Sequence, residues 1–509
     1  MSGSESELPD YLKSLEAILS GSSGGAAGAT VTTSVTRTEP VVQPPTSTVP
    51  PTEPPASPAA SPAAVAAQPV GKTLTLSSIG FGSMFTAPST PVAPAPATNK
   101  LRFLLISTHV HQFTGYSKVS HGILEELSKL PWIDLIHYGF QKNPDPSAAT
   151  RAYPAGVEVI DAMALEKPVQ NGFGFAALPD IIRRKKPHVV MIYNDLAVVS
   201  QYVEHIRASG VPRTYKLWVY CDQVYNTQGQ AFLDRLNRDV DRVFAFSPYW
   251  KHCLKDQGVT RPVDVLLHGF NPNKFFSLPK ELARKQVALP NDIFLFMNLN
   301  RNQPRKRYDL LIMAFVELVV KYPTKPVYLL CICDKGEKGG WPLFEIYSRE
   351  LKLRGVAVDQ FANRLMVAAQ NMAFRDEEIN MFYNAADVGI STADGEGWGL
   401  CQFEQMGVGV PQVVPDIGGY KEFCTAENSS LVKPTHRFYQ PNLYSPVGGE
   451  AEVCAPHDIC LAMEEYLLNS EKRLAHGAAA KEKVLGYTWE RACATLVKRL
   501  KAVHEGDDD

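Results

Sequence analysis

The chain lacks any apolar run of the roughly 18–20 residues that a membrane-crossing helix needs. Membrane contact is therefore expected to be peripheral or through a partner. It also lacks a charge excess: the formal net charge is −2, which gives no global basic field and argues against nucleic acid. Its first residues, Met1-Ser-Gly-Ser-Glu5-Ser-Glu7, are acidic and polar, not the cationic and apolar pattern of a secretory signal. Cysteine does not come as a paired framework. The nine cysteines are odd in number and scattered, several inside apolar runs, as expected for reduced thiols in the cytoplasm. Cys331-Ile-Cys333 has no second ligand pair and reads as strand, so no metal is expected there. Between Arg37 and Lys72 there is no basic residue and almost no large apolar one. Such a segment cannot bury enough surface to offset its ordering entropy.

What is present divides the chain. Residues 1–99 read as a disordered Pro/Ala/Ser/Thr-rich region with two apolar islands, Leu8–Leu19 and Leu74–Phe85. Either island is a candidate for docking on the body or on a protein partner. The remaining length allows two large cores. Leu101-Arg-Phe-Leu-Leu-Ile-Ser107 reads as a buried parallel strand, followed by a turn at Thr114-Gly115 and a helix from about Ser117 to Lys129. Further strands are expected at Leu135–Tyr138, Val189–Tyr193, Leu217–Cys221, Val243–Phe246 and Val263–Leu266. The pattern restarts near residue 275, with strands at Phe294–Asn298, Val327–Cys333, Leu365–Ala369, Asp387–Ser391 and Gln412–Val414. Strands alternating with helices imply parallel sheets covered on both faces. The expected class is α/β, with two doubly wound domains at 100–275 and 276–487. A last helix lies within 488–509, ahead of an acidic tail.

The densest chemistry lies in Asp394-Gly-Glu396-Gly-Trp398-Gly-Leu400-Cys-Gln-Phe-Glu404, where seven residues separate Glu396 from Glu404. A glycine turn opens into a helix, and a helix N-terminus favours anions through its free N–H groups and its dipole. Gly397 and Gly399 let a ligand approach the backbone. Glu404, about one turn in, can accept hydrogen bonds from a diol. A phosphate cradle beside a hydroxyl-gripping carboxylate suits a sugar nucleotide.

This segment resembles the signature of retaining glycosyltransferases of the GT-B fold, glycosyltransferase family 4 in particular. That signature runs Glu-Gly-aromatic-Gly-Leu, a helix with Glu, then Gly-x-Pro and a valine-rich strand, here Gln412-Val-Val414. A second glycine turn, Gly418-Gly419, and Glu422 also match. So do His268-Gly269-Phe-Asn-Pro-Asn-Lys-Phe275, the basic loop Asn300-Arg301-Asn-Gln-Pro-Arg305-Lys306, and Met372-Ala-Phe374 with the helix after it. The resemblance covers roughly residues 101 to 500. It implies two Rossmann-like domains facing across a cleft and transfer of a sugar from a UDP- or GDP-sugar to a glycan, lipid or protein acceptor.

The resemblance assigns Arg301 and Lys306 to the pyrophosphate; Arg305 and Arg307 are expected to point elsewhere, though either could replace Lys306. It puts Glu396 and the amides of Gly397, Trp398, Gly399 and Leu400 around the sugar and phosphates, and Glu404 on the ribose diol. Phe374 and its neighbours would hold the base, and Gly115 would approach the donor phosphates. His109, His111 and Asp222 are the acceptor-side candidates, whereas His268 reads as structural near the hinge. Asp239-Val-Asp241 sits at a charged helix end and is not read as a metal motif, so neither cofactor nor metal is expected. The alternatives are a sugar-nucleotide epimerase, a phosphorylase, or a catalytically degenerate binding protein with the same fold.

Overall fold

The computed structural model describes residues 100–145, 151–168, 171–333, 339–368, 374–440 and 448–507. The N-terminal region with its two islands lies outside them. The first sheet has seven parallel strands in the order β3-β2-β1-β4-β5-β6-β7. They are β1 (Leu101–Thr108), β2 (Ile133–Phe140), β3 (Glu158–Asp161), β4 (Val189–Asp195), β5 (Lys216–Asp222), β6 (Arg242–Ala245) and β7 (Val263–Val265). The second has six parallel strands in the order β10-β9-β8-β11-β12-β13. They are β8 (Phe294–Asn298), β9 (Val327–Ile332), β10 (Leu365–Ala368), β11 (Val388–Ile390), β12 (Gln412–Pro415) and β13 (Ser429–Val432). The central strands are buried on both faces, with Phe103, Leu104, Leu105 and Ile106 all shut off from solvent. That is why they read as continuous apolar runs rather than alternating ones.

Four strands escape the sequence pattern. β3 is a short edge strand whose Glu158 and Val159 are exposed, and β13 begins with two serines. β14 (His436–Tyr439) and β15 (Glu450–Val453) form an antiparallel hairpin, and every residue of β14 is exposed. None presents an apolar run.

Each sheet reverses its strand order once, between β1 and β4 and between β8 and β11. Ligands of open α/β sheets bind beyond the strand ends at such reversals. Helix α1 (Gly115–Leu127) follows β1, and α2 (Tyr308–Lys321) follows the basic loop after β8. α3 (Asp376–Ala385) precedes β11, and α4 (Leu400–Gly407) follows it. The site elements therefore start from the reversal points.

The last helix, α5 (Trp489–Glu505), packs on the first sheet's elements. Arg499 bonds Asp264 of β7 at 2.8 Å, and His504 stacks on Trp132. The Trp489 indole occupies the space that a side chain at Gly122 of α1 would need: a Cβ there would lie 2.2 Å from the ring. This yields a test of sign. Gly→Ala inside a free helix gains up to about 1 kcal/mol, whereas overpacking costs about 1–3 kcal/mol. Gly122→Ala should therefore lower the thermal midpoint. A raised midpoint would show that Trp489 does not sit against α1.

Candidate functional site

The two sheets enclose a cavity of about 310 Å³, lined by residues of both. Its first wall is the basic loop. Pro304–Lys306 forms a single 3₁₀ turn closed by Arg307 at φ 48°. This turn sends Arg305 and Lys306 inward and Arg307 away to Asp309, 2.8 Å distant. The expectation that Arg305 points elsewhere is thus corrected: its guanidinium lines the cavity, donates to Gly395 O at 2.9 Å and lies 3.4 Å from Glu396 Oε2. Lys306 Nζ bonds the same carboxylate oxygen. The Thr392 hydroxyl donates to Arg307 O at 2.8 Å, and Asp394 N donates to Arg305 O at 3.0 Å. These bonds stitch the loop to the turn that carries Glu396.

Both Lys306 and Glu396 are buried. Burial alone would raise the Glu396 carboxyl, but Lys306 and Arg305 outweigh it and hold it below its ordinary value. Arg301, also lining the cavity, is exposed, and its side chain makes no hydrogen bond or ion pair with the described residues. Desolvation by the cleft walls and the neighbouring Arg305 lower its guanidinium from the ordinary value. It is the cation left open for a ligand.

The second wall is the signature turn. Gly399 takes φ 96° just before α4, a conformation suited to glycine, and no side chain caps the helix. The first amides of α4 are consequently without intrahelical partners. The turn is held from behind by the second glycine pair, where Gly419 N donates to Glu396 O at 2.8 Å. A Cβ on Gly419 would lie 2.3 Å from Gly397 O, so only glycine lets the two turns approach this closely. Trp250 Nε1 donates to the same Gly397 oxygen at 2.7 Å.

Further along, Lys118 Nζ reaches both oxygens of Glu404 at 2.8 Å, and the Tyr383 hydroxyl donates to Oε2 at 2.9 Å. Lys118 also lies 3.6 Å from Asp376, which Arg151 grips with two bonds of 2.9 and 3.1 Å. Gly115 comes so near Leu400 that a Cβ would sit 2.9 Å from its Cδ1. A single glycine suffices, since Thr114 in the preceding position caps α1 by accepting from Ser117 N at 3.3 Å.

Of the other expected residues, Phe374, Trp398 and Asp222 line the cavity. Asp222 Oδ2 accepts from the Tyr116 hydroxyl at 2.6 Å, and burial lifts its carboxyl to about 6. Gly397 lies against Asp222 rather than on the cavity surface. His109 is buried elsewhere, its imidazole lowered to about 4 by burial and then by His111; neither histidine lines the cavity. Met372 lies outside the described residues. His268, read as structural, lines the cavity, as do Lys118, Tyr116 and Tyr383, which the sequence reading passed over. Lys118 was the legible one: it is the fourth residue of a helix that starts at the Gly115 turn. Asp239 and Asp241 are occupied locally, Asp239 by Arg238 at 2.7 Å and Asp241 by Leu217 N at 2.7 Å.

Residues 279–437 match the model of the family described as "Glycosyl transferases group 1". The match falls within the second of the two domains. That domain holds the basic loop and the signature turn. Among curated proteins, the D-inositol 3-phosphate glycosyltransferase of Streptosporangium roseum is 26% identical over 184 residues, 36% of this chain and 41% of that protein. The chain spans about half the length of the curated relatives it matches. Among solved structures, sucrose-phosphate synthase from Thermosynechococcus elongatus superposes with a TM-score of 0.60 at 14% identity, covering 80% of this chain and 100% of that one. Anabaena HepE, in complex with UDP-glucose, gives 0.58 at 15%, covering 79% and 100%. These likenesses show the fold: two Rossmann-like domains of the GT-B type. Among the described residues, no helix is long and apolar enough to cross a membrane.

Asp394, at the start of the glycine turn that carries Glu396, gives a pH test. Burial pushes its carboxyl from 3.8 to about 7, against the pull of Arg307 and Arg305. The folded state therefore holds a proton that the unfolded state has released. The stability this contributes is complete below the unfolded value and is lost as pH rises through about 7. Asparagine cannot ionise. The thermal midpoint of Asp394→Asn relative to wild type should therefore climb between about pH 5 and pH 8. A difference that stays flat or falls would contradict the burial of this carboxyl.

Proposed function

We propose that this chain is a retaining glycosyltransferase using a UDP- or GDP-sugar donor. The carrying observation is the arrangement along one cavity: Arg301, Arg305, Lys306 and the uncapped start of α4 at one part, Glu404 at another. The fold shared with HepE, whose structure holds UDP-glucose, supports a nucleotide-sugar donor. The pyrophosphate lies against the three cations and the α4 amides, and the ribose diol binds Glu404. A carboxylate offers about four lone-pair directions. Lys118 and Tyr383 use three of them, so the diol displaces Lys118 from at least one oxygen, toward Asp376.

In the reaction, the bond between the anomeric carbon and the phosphate oxygen breaks, and the acceptor hydroxyl attacks from the same face. Its proton passes to the departing phosphate. Charge grows on that phosphate as the bond lengthens, so cations aimed there stabilise the transition state more than the ground state. Glu396 orients the sugar and keeps Lys306 in place. The cations and the helix terminus supply the positive charge that a metal supplies in other transferases, and activity should survive a chelator. The same charges argue against a degenerate binding protein, which has no need to keep Arg301 unpaired. The acceptor is a glycan, lipid or protein. The protein is proposed to act in the cytoplasm.

Arg301 is the residue of choice for the test, since it bonds nothing that folding requires. Arg301→Ala should leave the thermal midpoint unchanged and lower turnover by about 10²–10³, as loss of one preorganised charge contact does. Affinity for the intact donor should fall much less. Wild-type product followed by NMR should keep the donor's anomeric configuration. Inverted product, or a loss confined to donor affinity, would overturn the mechanism.

A further inference from the structure

Two buried charged residues lie outside the cavity wall and outside the proposed reaction. Arg151 comes from the first domain, between β2 and β3, and Asp376 opens α3 of the second. Both are buried, and neither lines the cavity. Arg151 donates from Nε and Nη2 to the two oxygens of Asp376, at 3.1 and 2.9 Å. Its Nη1 donates to Gln112 O and to Ser117 Oγ, each at 3.0 Å. One guanidinium thus fixes Asp376 and the first turn of α1, where Ser117 precedes Lys118. The Lys118 ammonium lies among two carboxylates and the Phe275 ring, 4.6 Å from the ring centre. It holds both oxygens of Glu404 at 2.8 Å and stands 3.6 Å from Asp376 Oδ1.

Counting acceptor directions shows where Lys118 can go. A carboxylate offers about four of them. At Glu404, Lys118 and Tyr383 take three, too many to leave room for both hydroxyls of a diol. At Asp376, Arg151 takes two, which leaves room for an ammonium. The two carboxylates also differ in how firmly their charge is held. Burial would raise Asp376, but Lys118 and Arg151 outweigh it and hold its carboxyl well below the usual range. Burial raises Glu404 in spite of Lys118. A cation taken from Glu404 and given no other anion would be left uncompensated in a partly buried place, which is costly. We infer that Asp376 is the carboxylate that receives Lys118 when a nucleotide takes Glu404, and that Arg151 is the positioning residue that holds Asp376 ready. The inference rests on the proposed nucleotide-sugar site and adds to it a control of nucleotide affinity by residues that never touch the ligand.

The test is a double-mutant cycle read by calorimetry, with UDP, GDP and their 2′,3′-dideoxy forms as ligands. It uses wild type, Asp376→Asn, Lys118→Met and the double variant. Wild type should bind one of the two diphosphates. Asp376→Asn should bind that diphosphate about tenfold more weakly, the worth of one hydrogen bond to a charged group. In the Lys118→Met background there is no cation to receive, and the same substitution should change affinity by less than about twofold, within the scatter of additivity. The dideoxy form does not displace Lys118, so its affinity should be equally indifferent to Asp376→Asn. If asparagine is not tolerated, Asp376→Ser, smaller and still able to accept from Arg151, completes the same cycle. Equal losses in both backgrounds would make Asp376 a structural clamp only and overturn the inference. So would no loss at all, or the same loss for the dideoxy form. Failure of wild type to bind either diphosphate overturns the nucleotide-sugar site itself, and this inference with it.

Discussion

A buried carboxylate held between two cations organises this cleft. Glu396 takes Lys306 and Arg305 on the same oxygen, in a place where all three are largely removed from water. Breaking a buried ion pair by removing one partner costs about 3–5 kcal/mol, against a total stability of about 5–15 kcal/mol for a typical domain. The cluster is thus a condition of the folded shape as well as part of the proposed site. It fixes the basic loop against the signature turn, and the positive charge that points at the cavity is in place before any ligand arrives. Preorganisation of this kind lets an electrostatic site act without rearranging during the reaction.

The architecture around the cluster follows from bringing two sheet reversals face to face. The loop after β8 supplies the cations, the turn after β11 supplies Glu396 and the α4 amides, and the turn after β1 brings Gly115 against Leu400. Close approach is enforced by a small residue, because a side chain at Gly115 would collide with Leu400 of the opposing wall. Across the same gap, Lys118 and Arg151 of the first domain tie to Glu404 and Asp376 of the second. These ties meet the ligand on ground it is proposed to occupy. On that proposal, donor entry and the packing of the two domains are coupled through Lys118.

Much of this was legible before any coordinates. The apolar runs announced the central strands, and the Glu396–Glu404 spacing with its glycines announced a turn feeding a helix. The edge strand Glu158–Asp161 and the paired strands His436–Tyr439 and Glu450–Val453 were not, because short, polar, partly exposed strands carry no continuous apolar signal. Nor was the direction of Arg305. A run of basic residues does not say which one faces inward; that is set by the 3₁₀ turn and the left-handed Arg307 that ends it. The place of His268 at the cavity was not legible for a related reason. Its sequence context belongs to the connection between domains, whereas its exposure to the cavity depends on where Trp398 of the other domain comes to rest.

The central claim is that the cationic part of the cavity holds a diphosphate whose nucleoside lies toward Glu404. The direct measurement is the thermal shift produced by a nucleoside, its monophosphate and its diphosphate, compared at one concentration for the uridine and guanosine series. Only a ligand that binds the folded state raises the midpoint. The account predicts a rise for one diphosphate, smaller for its monophosphate and near zero for the nucleoside, and an attenuated diphosphate shift in Arg301→Ala. Equal shifts for nucleoside and diphosphate, or none with either series, would contradict it.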